Sequence, residues 1–154
     1  LRDSEKKLMI TSSNNPILII ASRFLTPFIQ LFALYVIVHG HYGPGGGFQG
    51  GGILAASIIL LRLSLGTEKS EKVFRRTWGI PLGFFGALVF FSIGLLTMLF
   101  GGNFLEFDEL GLLGFNKVGS HFYGILLIEI GVGIAVMSTI VSIFDNLSGE
   151  LDGD

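Results

Sequence analysis

The groups in this chain that could handle a proton or a cation are three histidines and one carboxylate set in apolar surroundings. His39 and His41 open the run His39-Gly40-His41-Tyr42-Gly43-Pro44-Gly45-Gly46-Gly47-Phe48-Gln49-Gly50-Gly51-Gly52, and Glu129 sits within Leu126-Leu127-Ile128-Glu129-Ile130-Gly131-Val132-Gly133. Histidine titrates near neutral pH. A carboxylate at membrane depth costs at least about 2.5 kcal/mol and marks a proton or cation site by default. Glu129 has a second reading, as a protonated or hydrogen-bonded carboxyl that fixes an interface. His121 precedes it by about 12 Å along a helix and about 80° around it, so the two are the ends of a polar path or unrelated groups.

His39, His41 and His121 also make a conceivable metal set. Histidines at i, i+2 on a helix point apart, and no acid adjoins them, so no metal is expected. Hydrogen bonds to the glycine run or to a partner subunit are expected instead, with a proton relay as the alternative. The glycine run lacks the Gly-Lys-Ser/Thr ending and the preceding strand of a phosphate loop. No Ser/His/Asp or Cys/His nucleophile set is visible, so an enzyme is not expected. A metal-dependent one would have little beyond the three histidines.

These residues need elements to hold them, and composition says which. Charged residues are 14% of the 154 and hydrophobic ones 50%, whereas a soluble domain carries about 25% charged. The charges gather at the two ends and in two loops, the pattern of a multi-span membrane protein. A net charge of −2 gives no reason to expect nucleic acid. The absence of cysteine removes disulfides, thiolate metal sites and thiol nucleophiles. Residues 1–15 have no apolar core of a signal peptide, so none is expected.

The apolar runs predict an all-α integral membrane protein of about four helices. A polar tail, 1–15, precedes a membrane domain, 16–145, with spans at about 17–38, 50–65, 80–100 and 121–144. An acidic tail, 146–154, follows. Pro16 suits a helix start, and Pro27 predicts a kink in the first span. The apolar part of span two, Ile53–Leu61, is short for a bilayer about 30 Å thick. Part of the glycine run therefore lies at membrane depth, covered by protein. Arg62, Lys69, Lys72, Arg75 and Arg76 cluster between spans two and three, and Lys6 and Lys7 precede span one. The 101–120 loop sets Glu106, Asp108 and Glu109 against Lys117. The positive-inside rule puts both termini in the cytoplasm.

Small residues stripe the spans: Gly79, Gly83, Gly86, Gly94 and Gly101 in the third, and Gly124, Gly131, Ala135, Ser138 and Ser142 in the fourth. Gly51 with Ala55 and Gly52 with Ala56 open the second. Such stripes let helices approach closely, within this chain or against another subunit. The 15 phenylalanines are left for lipid-facing or partner-facing surface. Glu129 is about 200° from Gly131 around the helix, so span four is expected to have protein or water on both sides.

The run Leu34-Tyr35-Val36-Ile37-Val38-His39-Gly40-His41-Tyr42-Gly43-Pro44-Gly45-Gly46-Gly47-Phe48-Gln49-Gly50-Gly51 resembles the signature of the B subunit of Mrp-type multisubunit sodium/proton antiporters. The resemblance extends more loosely over residues 16–145, through Gly119 and Glu129-Ile130-Gly131-Val132. The family more often has Asp where this chain has Glu129, which keeps the carboxyl and lengthens its arm. The resemblance implies a small non-catalytic subunit of the cell membrane with no redox cofactor of its own, acting in exchange of Na+ and H+. It implies as partners antiporter-like subunits related to the pumping subunits of respiratory complex I, and other small Mrp-type subunits. In membrane-bound hydrogenases and related respiratory complexes, where a similar subunit occurs, an iron–sulfur or nickel–iron module would accompany them. Pro44, Gly45, Gly46, Gly47, Phe48 and Gln49 are the signature's candidates for the ion path or an interface, beside Glu129 and the histidines. A stand-alone oligomeric channel or small transporter, its pore lined by His39, His41, His121 and Glu129, is the alternative.

Overall fold

A computed structural model of the chain describes residues 15–40, 42–107 and 117–150. His41, the tail lysines Lys6 and Lys7, the loop acids Asp108 and Glu109, and most of both predicted tails lie outside the described residues. The long helices are α1 (Pro16–Val38), α2 (Gly47–Leu65), α3 (Gly79–Leu99) and α4 (Lys117–Glu150). Among the described residues four helical segments are long and apolar enough to cross a membrane, as the apolar runs predict. A short helix, Thr67–Ser70, and a 3-10 turn, Arg76–Trp78, connect α2 to α3.

Each helix begins and ends for a local reason. Asn15 caps α1, its side-chain oxygen accepting from the Ile17 amide at 3.1 Å, and Pro16 occupies the first turn, where no donor is needed. The buried hydroxyls of Ser22 and Thr26 donate to Ile19 and Ser22 carbonyls at 3.0 and 2.7 Å, so neither needs a partner outside the helix. Gly46, at φ +126°, turns the chain into α2, and Gly66, at φ +80°, ends it. The first of these conformations is one that only glycine adopts without strain.

The helices pack in the lateral order α1–α2–α4–α3. Among the described residues no Cα of α3 comes within 8 Å of one in α1 or α2, though Leu82 of α3 packs on the core cluster of Ala55, Ile58, Phe74 and Val141. Half of α2's span is buried, against 17% of those of α1 and α3, which identifies α2 as an inner helix. α2 and α4 run parallel and in step: Gly47 meets Glu129 and Gly51 meets Gly133, and Arg62 meets Asp145. α3 and α4 run antiparallel, Gly79 facing Ser142, Gly83 facing Ser138, and Gly86 facing Gly131 and Ala135. The small-residue stripes therefore serve contacts inside this chain, where backbones close together gain dispersion energy.

Four predicted stripe members do something else: Gly52 has nothing within 4 Å of a notional Cβ, and the other three serve the α3–α4 loop. Gly94 is the notch that receives the Phe104 ring, and Gly124 receives Phe107, so the described part of the α3–α4 loop is pinned by aromatic side chains. Buried Thr97 anchors the same loop, accepting from the Leu105 amide at 2.9 Å and donating to the Asn103 carbonyl at 3.1 Å. Gly101 has nothing within 4 Å of a notional Cβ and takes φ +93°, making it a turn residue.

Outward faces are strongly apolar. Phe24, Phe28 and Phe32 of α1 and Phe84, Phe85 and Phe91 of α3 are all exposed. Surface of this extent needs lipid or another subunit against it.

Candidate functional site at the glycine loop

The α2–α4 seam is held at two levels by polar groups, and one of them is Glu129. Its Oε1 stands 2.5 Å from where a Cβ of Gly40 would lie and 3.5 Å from that of Gly46. Gly40 and Gly46 themselves touch: a Cβ on Gly40 would stand 2.5 Å from the Gly46 Cα. The Gly46 amide donates to the Val36 carbonyl at 3.3 Å, closing the loop onto the end of α1. Gly47 then presses on the Glu129 backbone itself, leaving no room for any side chain there. At Gly40, Gly46, Gly47 and Gly51 the run is glycine where α4 of the same chain lies against it, and at Gly45 and Gly50 where α1 does.

The N-terminus of α2 is the local feature that faces this carboxyl. α2 starts without a side-chain cap, so the amides of its first turn remain partly positive. A helix N-terminus carries roughly half a positive charge. The Glu129 carboxyl, delivered by α4, lies against that end. On the opposite side of α4, Gly131 packs on Gly86 and Val89 of α3. Span four thus has protein on both sides, as the angle between Glu129 and Gly131 predicts.

The structure gathers Gly40, Gly45, Gly46, Gly47 and Glu129, and Gln49, though exposed, brings its Oε1 to 3.6 Å from the Cβ position of Gly46, beside Glu129. Pro44 and Phe48 are exposed. The His39 carbonyl accepts from the Tyr42 amide of the loop at 3.1 Å, while its ring turns back on α1. It donates from Nδ1 to the Tyr35 carbonyl at 3.2 Å and stacks on the Tyr35 ring with centroids 4.2 Å apart. His121 packs edge-on against Phe107, with centroids 5.9 Å apart. Among the described residues no three His, Asp or Glu side chains are grouped to hold a metal.

A second polar level was hidden in the sequence. Arg62, grouped by its position with the loop cations, is inside α2. Its side chain is 1% exposed, and that of Asp145 on α4 is 2% exposed. Nε meets Asp145 Oδ1 at 2.6 Å and Nη2 meets Oδ2 at 2.7 Å, a two-pronged pair. Nη1 donates to Ser70 Oγ at 3.2 Å and Nη2 to the Phe74 carbonyl at 3.0 Å. Arg76 donates to the Asp145 carbonyl. One guanidinium thus ties α2, the connecting segment and α4 together. α4 continues helically through Asp145 to Glu150, past the expected end of the span, with its carboxylate answered by Arg62. A basic residue at the edge of one apolar run and an acid at the edge of another were the only signals in the sequence.

Residues 17–142 match a family described as a domain related to the MnhB subunit of Na+/H+ antiporter. Relatives named as antiporter subunit mnhB2 from Staphylococcus aureus strains Newman, JH1 and Mu3 are each 32% identical over 145 residues. The alignment covers 88% of this chain and 96% of each relative.

Proposed function

Since the chain belongs to the MnhB-related family of Na+/H+ antiporter subunits, we propose that it acts as an accessory, non-catalytic subunit that shapes the ion path of a cation/proton antiporter module. The observation that carries this reading is Glu129, an acid within a membrane-spanning helix held against the N-terminus of α2. A fixed carboxylate at that depth attracts a cation or takes up a proton, and each event weakens the other. The glycine loop gives α4 the close approach that sets the carboxylate in place. The rigid α2–α4 seam keeps it there.

Glu129→Gln in the assembled complex is the test. The variant keeps the shape and removes the ionisable group, so Na+/H+ exchange in everted vesicles is expected to fall or to shift its pH profile while the subunits stay together. Exchange unchanged across the pH range, with assembly intact, would overturn the ionic role and leave Glu129 as an interface carboxyl.

The module's partners follow from the same reading: antiporter-like subunits related to complex I pumping subunits, and other small Mrp-type subunits. Purification in mild detergent separates a free-standing exchanger from a redox-driven assembly, which would bring an iron–sulfur or nickel–iron module with it. The purified chain alone in liposomes is expected not to conduct, and conduction would favour the stand-alone channel. Both termini are placed in the cytoplasm on the charge bias of the loops. Single cysteines in this cysteine-free chain would test that by labelling from either side.

A further inference from the structure

The outward flank of α1 carries polar groups where hydrocarbon is expected. Arg23 lies about 10 Å from the Pro16 end of the helix and Gln30 about 21 Å from it, within a span of 23 residues. At about 100° per residue, Arg23, Pro27, Gln30 and Leu34 share a sector about 60° wide. Arg23, Pro27 and Leu34 are exposed and Gln30 is half-buried. Among the described residues neither the Arg23 guanidinium nor the Gln30 carboxamide has a hydrogen bond or ion pair. Pro27 has no amide hydrogen, so it cannot answer the carbonyl of Arg23 one turn before it. One flank therefore offers a cation, a carboxamide and a carbonyl deprived of its helical donor.

Lipid chains satisfy none of these groups. Side chains on a helix lean toward its N-terminus, and the Arg23 stem can lift its charge toward the near interface. Gln30, about 10 Å deeper, has no such escape. A protein partner answers all three groups and a headgroup answers only the first. A second copy of this chain is a poor partner, because its described carboxylates at membrane depth face inward, Glu129 onto the glycine loop and Asp145 onto Arg62. We propose that the Arg23–Pro27–Gln30 flank of α1 docks a transmembrane helix of a different subunit, one that presents an Asp or Glu side chain to Arg23. This inference rests on the reading of the chain as one subunit of an assembly.

The chain contains no cysteine, so Ile20→Cys and Leu34→Cys, both at exposed positions, can each carry a benzophenone label in membranes holding the assembled complex. Irradiation is expected to join both positions to one second polypeptide, within an apolar segment that contains Asp or Glu. Arg23→Glu is expected to lower co-purification of that polypeptide about tenfold or more. Arg23→Lys should retain most of it, and changing the partner's acid to Arg should restore it in the Arg23→Glu background. Adducts with lipid only, together with unchanged recovery in Arg23→Glu, would assign the guanidinium to a headgroup and overturn the proposal, as would adducts with a second copy of this chain. Should antiporter subunits co-purify while neither label reaches one, the docking face is wrong and the subunit reading stands. Should none co-purify with the wild-type chain, the subunit reading fails and this inference falls with it.

Discussion

The α2–α4 seam is polar at two levels, about 24 Å apart along α4, and the two are built on opposite principles. At the Arg62–Asp145 level the charges answer each other directly, with Ser70 and the Phe74 carbonyl taking the remaining donors. At the Glu129 level the acid meets a backbone stripped of side chains, at Gly40, Gly46 and Gly47. A closed pair of side chains fixes helices and has little left to offer an ion. A carboxyl set against glycine backbone is the arrangement proposed above to serve an ion. The first arrangement suits a clamp and the second suits a site.

That contrast can be broken most forcefully at the clamp. Asp145→Ala strands a buried guanidinium, and a loss of about 3–5 kcal/mol is expected, seen as a large drop in the thermal midpoint of the detergent-solubilised protein. The double change Arg62→Met with Asp145→Leu should recover most of that loss, because an apolar pair of similar volume removes both desolvation costs. Failure of the double variant to recover would mean that Arg62 matters through Ser70 and Phe74 more than through Asp145.

Next in size is the glycine level. Gly47→Leu forces a side chain into the Glu129 backbone, with an expected cost of about 1–3 kcal/mol. Gly46→Ala, at φ +126°, should cost a similar or smaller amount, about 1–3 kcal/mol. Gly52→Ala is the control, since nothing lies within 4 Å of its Cβ position, and helix propensity predicts a gain of up to about 1 kcal/mol. Equal effects at Gly47 and Gly52 would show that close approach is not what these glycines provide.

Glu129→Gln sharpens the comparison most directly, because it should separate stability from transport. Loss of the favourable interaction with the α2 N-terminus is worth about 1 kcal/mol, far below the Asp145→Ala loss, while the exchange profile changes. The smallest effect is expected for His39→Ala, within about 0.5 kcal/mol, since its ring bonds only to the preceding turn of α1 and is exposed.

Much of this was legible in the sequence and some was not, for physical reasons. Hydropathy reports a helix's environment directly, so the four spans could be read from apolar runs alone. Glu129 stood out because an acid inside such a run is rare, and the glycine signature because few backbones tolerate it. Arg62 and Asp145 escaped because each lies at the border of its run, where charges usually face water. They are 83 residues apart, and no local pattern links them. The ring of His39 turns back on its own helix, a contact that residue spacing does not show. A histidine at the C-terminal end of a helix can satisfy itself on the preceding turn, and nothing in residue spacing distinguishes that from a bond to the loop. Gly94 looked like part of a helix–helix stripe because a notch for a helix and a notch for a phenylalanine ring require the same small residue.

The parallel pairing of α2 with α4 also bears on how the protein is made. α2 is the least apolar of the four spans, carries Arg62, and opens with Gly47, Gly50, Gly51 and Gly52. It leaves the ribosome well before the acid that neutralises its arginine and before the helix that fills its glycine notches. The molecule's inner helix therefore waits in the bilayer without Asp145 to answer its charge until α4 has been synthesised, and a nascent chain halted before α4 has its weakest hold on the membrane at α2.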